Sequence, residues 1–251
     1  MTEKQRVLVV EDNPEFIAGA RNYFAKKSNI ECLYAQDYRE AVTSLCGRKG
    51  AGISGALIDC FFPEITGSGN ISLGKEIIAR IEFRDHQQMN VREGLNFLGQ
   101  YVDLNDPEIR KYAQFISSQG DISKNPIAQA IKTVGILGKE ATGHIVKNVM
   151  QLVYDEKTAP KDYYRALEEA IEKSEANQPL GISVARTAQD LGIPFVFVTS
   201  TYHHDLLTQP IQNYISLFGW QMIDCSPGRE NEKSSPEFWE RAFGELERKL
   251  K

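Results

Sequence analysis

Short apolar runs alternate with amphipathic stretches at both ends of the chain. The compact, aliphatic-rich or aromatic-rich runs predict strands at residues 6–10, 30–35, 55–59, 193–198 and 219–225. Between them, apolar positions follow the helical period. Wholly apolar strands are typical of parallel sheets that helices cover on both faces. The pattern therefore predicts an α/β fold with a doubly wound, five-stranded parallel sheet, and we expect the strand order 2-1-3-4-5 that is common in such folds.

The middle of the chain has almost no strand signal. Helical periodicity dominates at residues 73–84, 91–102, 106–117, 126–150 and 160–174. A glycine cluster around Gly138 predicts a break within the fourth of these segments, because glycine weakens a helix interior. We therefore predict a discontinuous α/β domain, residues 1–67 and 181–251, with an all-α insertion at residues 68–180.

Composition excludes several classes of protein. The 251 residues carry a formal net charge of -5, so no global positive field favours binding to nucleic acid or to an anionic membrane. The four cysteines form no C-x-x-C pair, which argues against a zinc cluster or a disulfide framework. Neither a signal-peptide pattern nor an apolar run near the ~18 residues of a membrane span is present. We expect a cytoplasmic protein.

Carboxylates follow two predicted strands that should be neighbours. Glu11 and Asp12 follow the first strand, and Asp59 ends the third. Because the carboxyl ends of parallel strands share one edge, these side chains should lie close together. Three carboxylates repel one another unless a cation lies among them, and an all-oxygen ligand set suits Mg²⁺. Thr199 and Ser200 add hydroxyl groups at the same edge, so the sequence predicts a metal-assisted phosphoryl site.

Three segments resemble the receiver domain of two-component response regulators. Residues 7–14 read VLVVEDNP, residues 57–59 read LID with Pro63 and Gly67 following, and residues 196–200 read VFVTS. The resemblance covers both flanks of the chain and not the middle. It implies a receiver-like domain in a phosphoprotein of a two-component system or phosphorelay, with a function in signal transduction.

The resemblance also implies a role for each matching residue. Asp59 corresponds to the aspartate that accepts a phosphoryl group from a histidine kinase or phosphotransfer protein. Glu11 and Asp12 correspond to the acidic pair that holds Mg²⁺ with Asp59, and the backbone carbonyl of Phe61 is a further expected ligand. Thr199 corresponds to the switch hydroxyl that contacts the phosphoryl group. Output would pass through the helical insertion or a downstream protein partner.

The chain departs from the receiver pattern after the fifth predicted strand. Receivers carry a Lys-Pro dipeptide there, whereas this chain has Ser226 and Pro227. Lys233 follows in a polar loop and is the candidate substitute for the missing lysine. The aromatic switch position corresponds to Ile223.

Three functions remain open at this point. The first is phosphorylation-dependent signalling, with no conventional enzyme activity beyond self-phosphorylation from a phosphodonor and autodephosphorylation. The second is a phosphorylation-independent pseudo-receiver that acts as a protein-interaction module; a lysine delivered to the site by Lys233 favours the first reading. The third is a Mg²⁺-dependent phosphatase or other hydrolase. It needs another acid/base carboxylate near Asp59, but Cys60 follows Asp59 and no acidic residue stands two places on. None of these readings includes a nucleic-acid or membrane partner.

Overall fold

The structure is a computed structural model, and it describes residues 4–47, 52–88, 91–117, 139–155, 163–203 and 205–250. The chain divides into two units. One consists of Met1–Ile81 together with Tyr163–Lys251, and the other is Glu82–Asp162.

The first unit is built on a five-stranded sheet with the order β2-β1-β3-β4-β5. Every pairing of neighbouring strands is parallel. The predicted fold class is therefore confirmed, including the strand order. The strands are β1 (Gln5–Val10), β2 (Ile30–Ala35), β3 (Ile53–Asp59), β4 (Phe195–Val198) and β5 (Met222–Ile223).

The last strand is shorter than the predicted 219–225. Only Met222 and Ile223 pair with β4. Trp220 instead stacks on Phe197 and on Phe218. This segment is apolar because the Trp220 indole packs against aromatic residues at the sheet. Its hydrophobic pattern is the same as that of a strand, which explains why the predicted strand is longer than β5.

The first helix begins with local signals that the sequence carries. Asn13 accepts a hydrogen bond from the Glu15 amide, and Pro14 occupies the first turn of the first helix.

No helix within the described ranges is both long and apolar enough to cross a membrane. In chain order, the α-helices of the described residues are α1 (Pro14–Phe24), α2 (Tyr38–Cys46), α3 (Ser72–Gln88), α4 (Val91–Leu98), α5 (Pro107–Ser117), α6 (Lys139–Asp155), α7 (Tyr163–Lys173), α8 (Gly181–Asp190), α9 (Thr208–Leu217) and α10 (Pro236–Lys249).

The sheet is buried on both faces because successive residues of each strand enter different cores. In β1, Val7 and Val9 join one hydrophobic cluster, whereas Leu8 and Val10 join another. Helices α1 and α10 contribute to the first cluster, and α2, α8 and α9 contribute to the second. This arrangement is the reason that the strands read as continuous apolar runs.

The sheet-containing unit extends further into the middle of the chain than the predicted boundaries at 67 and 181. Ile77, Ile78 and Ile81 of α3 are buried in the same cluster as the sheet, together with Leu167 and Ile171 of α7. Helical periodicity shows that a helix has an apolar face, but it does not show which core that face enters.

The other unit is helical in its described part. Helices α4, α5 and α6 enclose a separate core, and the predicted break near Gly138 lies outside the described residues. The buried members of this core are Leu98, Ile109, Tyr112, Ala113, Val146 and Met150.

Candidate functional site

Three predicted site carboxylates meet at the carboxyl edge of β1 and β3. Val10 pairs with Ile58, so Glu11 and Asp59 occupy the next positions along neighbouring strands. One ligand oxygen from each of Glu11, Asp12 and Asp59 lies within 4.8 Å of the others. Glu11 and Asp59 are buried, and Asp12 is partly exposed. Strand pairing thus brings together the acidic residues that the sequence places far apart.

Lys233 completes this cluster from the other end of the chain. Its Nζ lies 2.7 Å from Asp59 Oδ1 and 2.6 Å from Glu11 Oε2. The lysine side chain is fully buried, at 0% exposure. Its Nζ also lies 5.4 Å from the centroid of the Phe16 ring, within the range of a cation–π interaction. The residue that the sequence offers as a substitute lysine therefore contacts two of the clustered carboxylates.

Burial and mutual repulsion favour the protonated carboxyl groups. Burial, together with the charge of Asp59, raises the pKa of Glu11 from 4.5 to about 8, although Lys233 opposes the shift. The same two causes raise the pKa of Asp12 from 3.8 to about 7. Burial also raises the pKa of Asp59 against the opposing charge of Lys233. For Lys233, burial disfavours the ammonium, but Asp59 and Glu11 outweigh it and raise the lysine pKa.

The residues of the cluster fit a hard divalent cation. The three carboxylates carry three negative charges when ionised, and the Lys233 ammonium supplies one positive charge. Glu11 Oε2 is buried and has no hydrogen bond of regular geometry, although Lys233 Nζ lies nearby. Glu11 Oε1 accepts a hydrogen bond from the Asn13 amide, at 3.0 Å. The three carboxylates exceed the single ammonium in charge, and such an excess of carboxylate oxygen suits an ion with oxygen ligands.

Thr199 follows β4 at the same edge of the sheet. Its side chain is buried, and its amide donates to the carbonyl of Ile223. The Thr199 hydroxyl lies 2.8 Å from the hydroxyl of Thr201, which in turn contacts the hydroxyl of Thr208 at the start of α9. Thr199 thus begins a chain of hydroxyl groups that runs from the sheet edge to α9.

The other predicted site residues lie around this group. Ser226 is exposed, and its amide donates to the Glu232 carboxylate at 3.2 Å. Phe61 and Ile223 are partly buried. The backbone amide of Phe61 lowers the pKa of Asp59 by hydrogen bonding, against the larger effect of burial. The metal-ligand role of the Phe61 carbonyl stays a prediction.

The start of α8 packs closely against the backbone of Asp59. A Cβ atom on Gly181 would lie 2.2 Å from the Asp59 carbonyl oxygen, so only glycine allows this approach without a shift. The Gly181 amide donates to the Cys60 carbonyl at 3.2 Å, and the Phe62 amide donates to the carbonyl of Gln178. These contacts hold the loop after β3 against the segment that leads into α8.

A histidine in the loop after β4 pairs with a carboxylate that directly follows β5. His203 Nδ1 lies 2.7 Å from Asp224 Oδ2, and the His203 amide donates to the same oxygen at 3.0 Å. Sequence reasoning did not single out Asp224. Asp224 directly follows β5, and a polar residue at the carboxyl end of a parallel strand is the signal that would have placed it at this edge of the sheet.

Three further residues, which no sequence pattern marks, shape the site through the backbone. Gly181 supports Asp59 from behind, and Gly19 and Trp239 contact the segment that carries Lys233. Each of these contacts joins residues that are distant in the chain or belong to different elements. No local pattern marks such residues, because an isolated glycine or a core tryptophan has many possible roles.

The chain matches no protein-family model, no curated protein and no solved structure.

Proposed function

We propose that this chain is a response-regulator-like signalling protein in which Asp59 accepts a phosphoryl group with the help of Mg²⁺. One observation carries the proposal: the Lys233 ammonium contacts Asp59 and Glu11 at the edge of the 2-1-3-4-5 sheet, beside the cluster that Asp12 completes. A nucleophilic carboxylate, a positive charge beside it and an oxygen-rich cation site are the parts that phosphoryl transfer requires.

The chemistry follows from these positions. A carboxylate oxygen of Asp59 forms a bond to phosphorus, while the bond between phosphorus and the donor's imidazole nitrogen breaks. The donor histidine leaves with the electron pair of that bond. Lys233, 2.7 Å from Asp59 Oδ1, neutralises charge on the phosphoryl oxygens. Mg²⁺ held by Glu11, Asp12 and Asp59 would supply further neutralisation of the same charge.

The response to phosphorylation would begin at Thr199. A phosphoryl group adds roughly -1.5 to -2 charge and new acceptor oxygens. These oxygens compete for the Thr199 hydroxyl, which lies in a hydroxyl chain with Thr201 and Thr208. A shift of Thr199 would therefore reach the start of α9. The donor would be a histidine kinase or phosphotransfer protein, with output through the helical unit or a partner protein in the cytoplasm.

The experiment is intact-protein mass spectrometry after incubation with a small-molecule phosphodonor. We expect one phosphoryl adduct in the presence of Mg²⁺ and much less adduct in EDTA. Asp59→Asn is the matched control, since it preserves the size of the side chain and removes the nucleophile. An adduct of equal amount in Asp59→Asn would contradict the assignment of Asp59.

A second candidate is a phosphorylation-independent pseudo-receiver that acts as a protein-interaction module. It is favoured by the burial of Glu11 and Lys233, at 1% and 0% exposure, because a buried ion pair also has a purely structural use. A wild-type protein that folds, binds Mg²⁺ and never gains a phosphoryl group would favour this candidate.

A further inference from the structure

Lys233 enters the site from an unusual direction. It lies in a 3₁₀ turn, Glu230–Ser234, that follows β5 and precedes α10. The position that corresponds to the lysine of the receiver pattern is the exposed Ser226, three residues after β5. The place of the Lys233 ammonium is therefore set by contacts of this turn and not by the sheet.

Helix α10 fixes the backbone of Lys233 from one side. Trp239 Nε1 donates to the Lys233 carbonyl at 2.7 Å, and both residues are fully buried. The indole belongs to the core cluster that α1 and α10 form against the sheet. Because a buried carbonyl without a partner is costly, this bond ties the lysine backbone to a rigid part of the fold.

Helix α1 also packs against the turn that carries Lys233. A Cβ atom on Gly19 would lie 2.4 Å from the carbonyl oxygen of Ser234, the residue after Lys233. Glycine at this position lets the turn lie directly on α1. In the same helix, the ring of Phe16 lies beside the Lys233 ammonium.

Glu232, in the middle of the turn, makes two further contacts. Its carboxylate accepts hydrogen bonds from the Ser226 amide, at 3.2 Å, and from Arg241 of α10, at 3.0 Å. Both bonds are exposed to solvent, so each stabilises the turn less than the buried hydrogen bond from Trp239.

We propose that Trp239 and Gly19 are positioning residues that set the place of the Lys233 ammonium between Glu11 and Asp59. The inference rests on the proposed function, in which Lys233 neutralises phosphoryl charge. The lysine side chain is long and flexible. An ammonium that must contact two carboxylates at once therefore needs a backbone that is held in a fixed position. An error of about 1 Å in the place of a catalytic group can reduce a rate by about a hundredfold.

The test compares Trp239→Phe with wild type in the full chain. The change removes the indole N–H and keeps an aromatic ring in the core. We expect the phosphorylation rate with a small phosphodonor to fall roughly tenfold. In Lys233→Met protein, the same change should lower the phosphorylation rate no further, because the lysine that it positions is gone. Trp220→Phe is the control: it also replaces an indole by a phenyl ring, at a partly buried position that packs against the other hydrophobic cluster, and it should leave the rate unchanged.

Two results would overturn the inference. One is an unchanged phosphorylation rate in Trp239→Phe. The other is an equal fractional loss in the presence and absence of Lys233, which would indicate a general effect on folding. Gly19→Ala is the second variant, since it moves the turn from the α1 side. If Trp239→Phe does not fold, Gly19→Ala must give the same lysine-dependent loss, or the inference fails.

A readout without phosphorylation separates this inference from the proposed function. In the metal-free protein, the Nζ resonance of Lys233 in ¹⁵N NMR reports the surroundings of the ammonium. We expect Trp239→Phe and Gly19→Ala to shift it and Trp220→Phe to leave it in place. If wild type gains no phosphoryl group, the proposed function fails, and this NMR result still decides whether Trp239 and Gly19 position the lysine.

Discussion

The Lys233 ammonium lies 2.7 Å from the Asp59 carboxylate, although the two residues are 174 positions apart in the chain. Asp59 ends β3 at the centre of the sheet, and Lys233 arrives from the turn before α10. The contact therefore depends on the completed fold. Because Glu11 shares the same ammonium, one lysine links the first strand, the central strand and the last helix.

Removal of this ammonium should destabilise the protein. Lys233→Met leaves Glu11 and Asp59 buried without their cation, and we expect the free energy of unfolding to fall by about 3 to 5 kcal/mol in EDTA. Mg²⁺ should reduce the loss, since it supplies positive charge to the same oxygens. Urea denaturation with and without Mg²⁺ measures both effects.

A surface lysine provides the comparison for that result. Lys26 is exposed at the end of α1, so Lys26→Met should change the free energy of unfolding by less than about 0.5 kcal/mol. Equal losses in the two variants would show that the buried contacts of Lys233 contribute little to stability.

The stability of the metal-free protein should decrease as pH rises from about 5 to about 8. The pKa values of Glu11 and Asp12 are raised from 4.5 and 3.8 to about 8 and about 7. The folded protein therefore keeps protons that the unfolded chain releases over this range. The stabilising contribution is complete below the unfolded pKa values, near 4, and is lost as pH passes through the folded values.

Mg²⁺ should reverse this dependence, because it binds the ionised carboxylates and stabilises the fold more strongly at higher pH. Calorimetric melting temperatures across the pH range, in EDTA and in Mg²⁺, measure the difference. The double variant Glu11→Gln, Asp12→Asn should have a flatter profile and little response to Mg²⁺. A profile in EDTA that is the same for wild type and this variant would argue against titration of the cluster.

Gly181→Ala should destabilise the sheet-containing unit. The new methyl group would lie 2.2 Å from the Asp59 carbonyl oxygen, and a backbone atom cannot yield as a side chain does. Overpacking of this kind costs about 1 to 3 kcal/mol. Gly244→Ala is the matched control, because a Cβ there meets nothing within 4 Å and lies inside α10.

Gly244→Ala should raise the free energy of unfolding, by up to about 1 kcal/mol, since alanine favours the helix. Chemical denaturation of both variants separates the destabilising effect of a close backbone contact at Gly181 from the stabilising effect of helix propensity at Gly244. Stabilisation by Gly181→Ala would mean that the backbone of Asp59 is not held by α8 in the way described.

The sequence was sufficient to predict the fold and the acidic cluster. The five apolar runs predict parallel strands, and the strand order makes the ends of β1 and β3 neighbours. Glu11, Asp12 and Asp59 directly follow or end those strands, so their meeting follows from strand pairing alone. Lys233 was only a candidate, because the conformation of a polar loop determines whether its side chain reaches the site.

Other features depend on tertiary packing that no local pattern encodes. Gly19, Gly181 and Trp239 act through close backbone approaches or a single hydrogen bond to a distant segment. The boundary of the helical unit also depends on tertiary packing. The apolar face of α3 carries Ile77 and Ile81 into the core of the sheet, although its periodicity resembles that of the helices that follow.

The most direct test of the central claim is to locate the phosphoryl group. An acyl phosphate on aspartate is reduced by borohydride to homoserine, and peptide mass spectrometry then identifies the converted position. After incubation with a phosphodonor and Mg²⁺, we predict homoserine at position 59, none at Asp12, and none in Asp59→Asn protein. Conversion at another aspartate, or no conversion in wild type, would contradict the assignment of Asp59 as the phosphoacceptor.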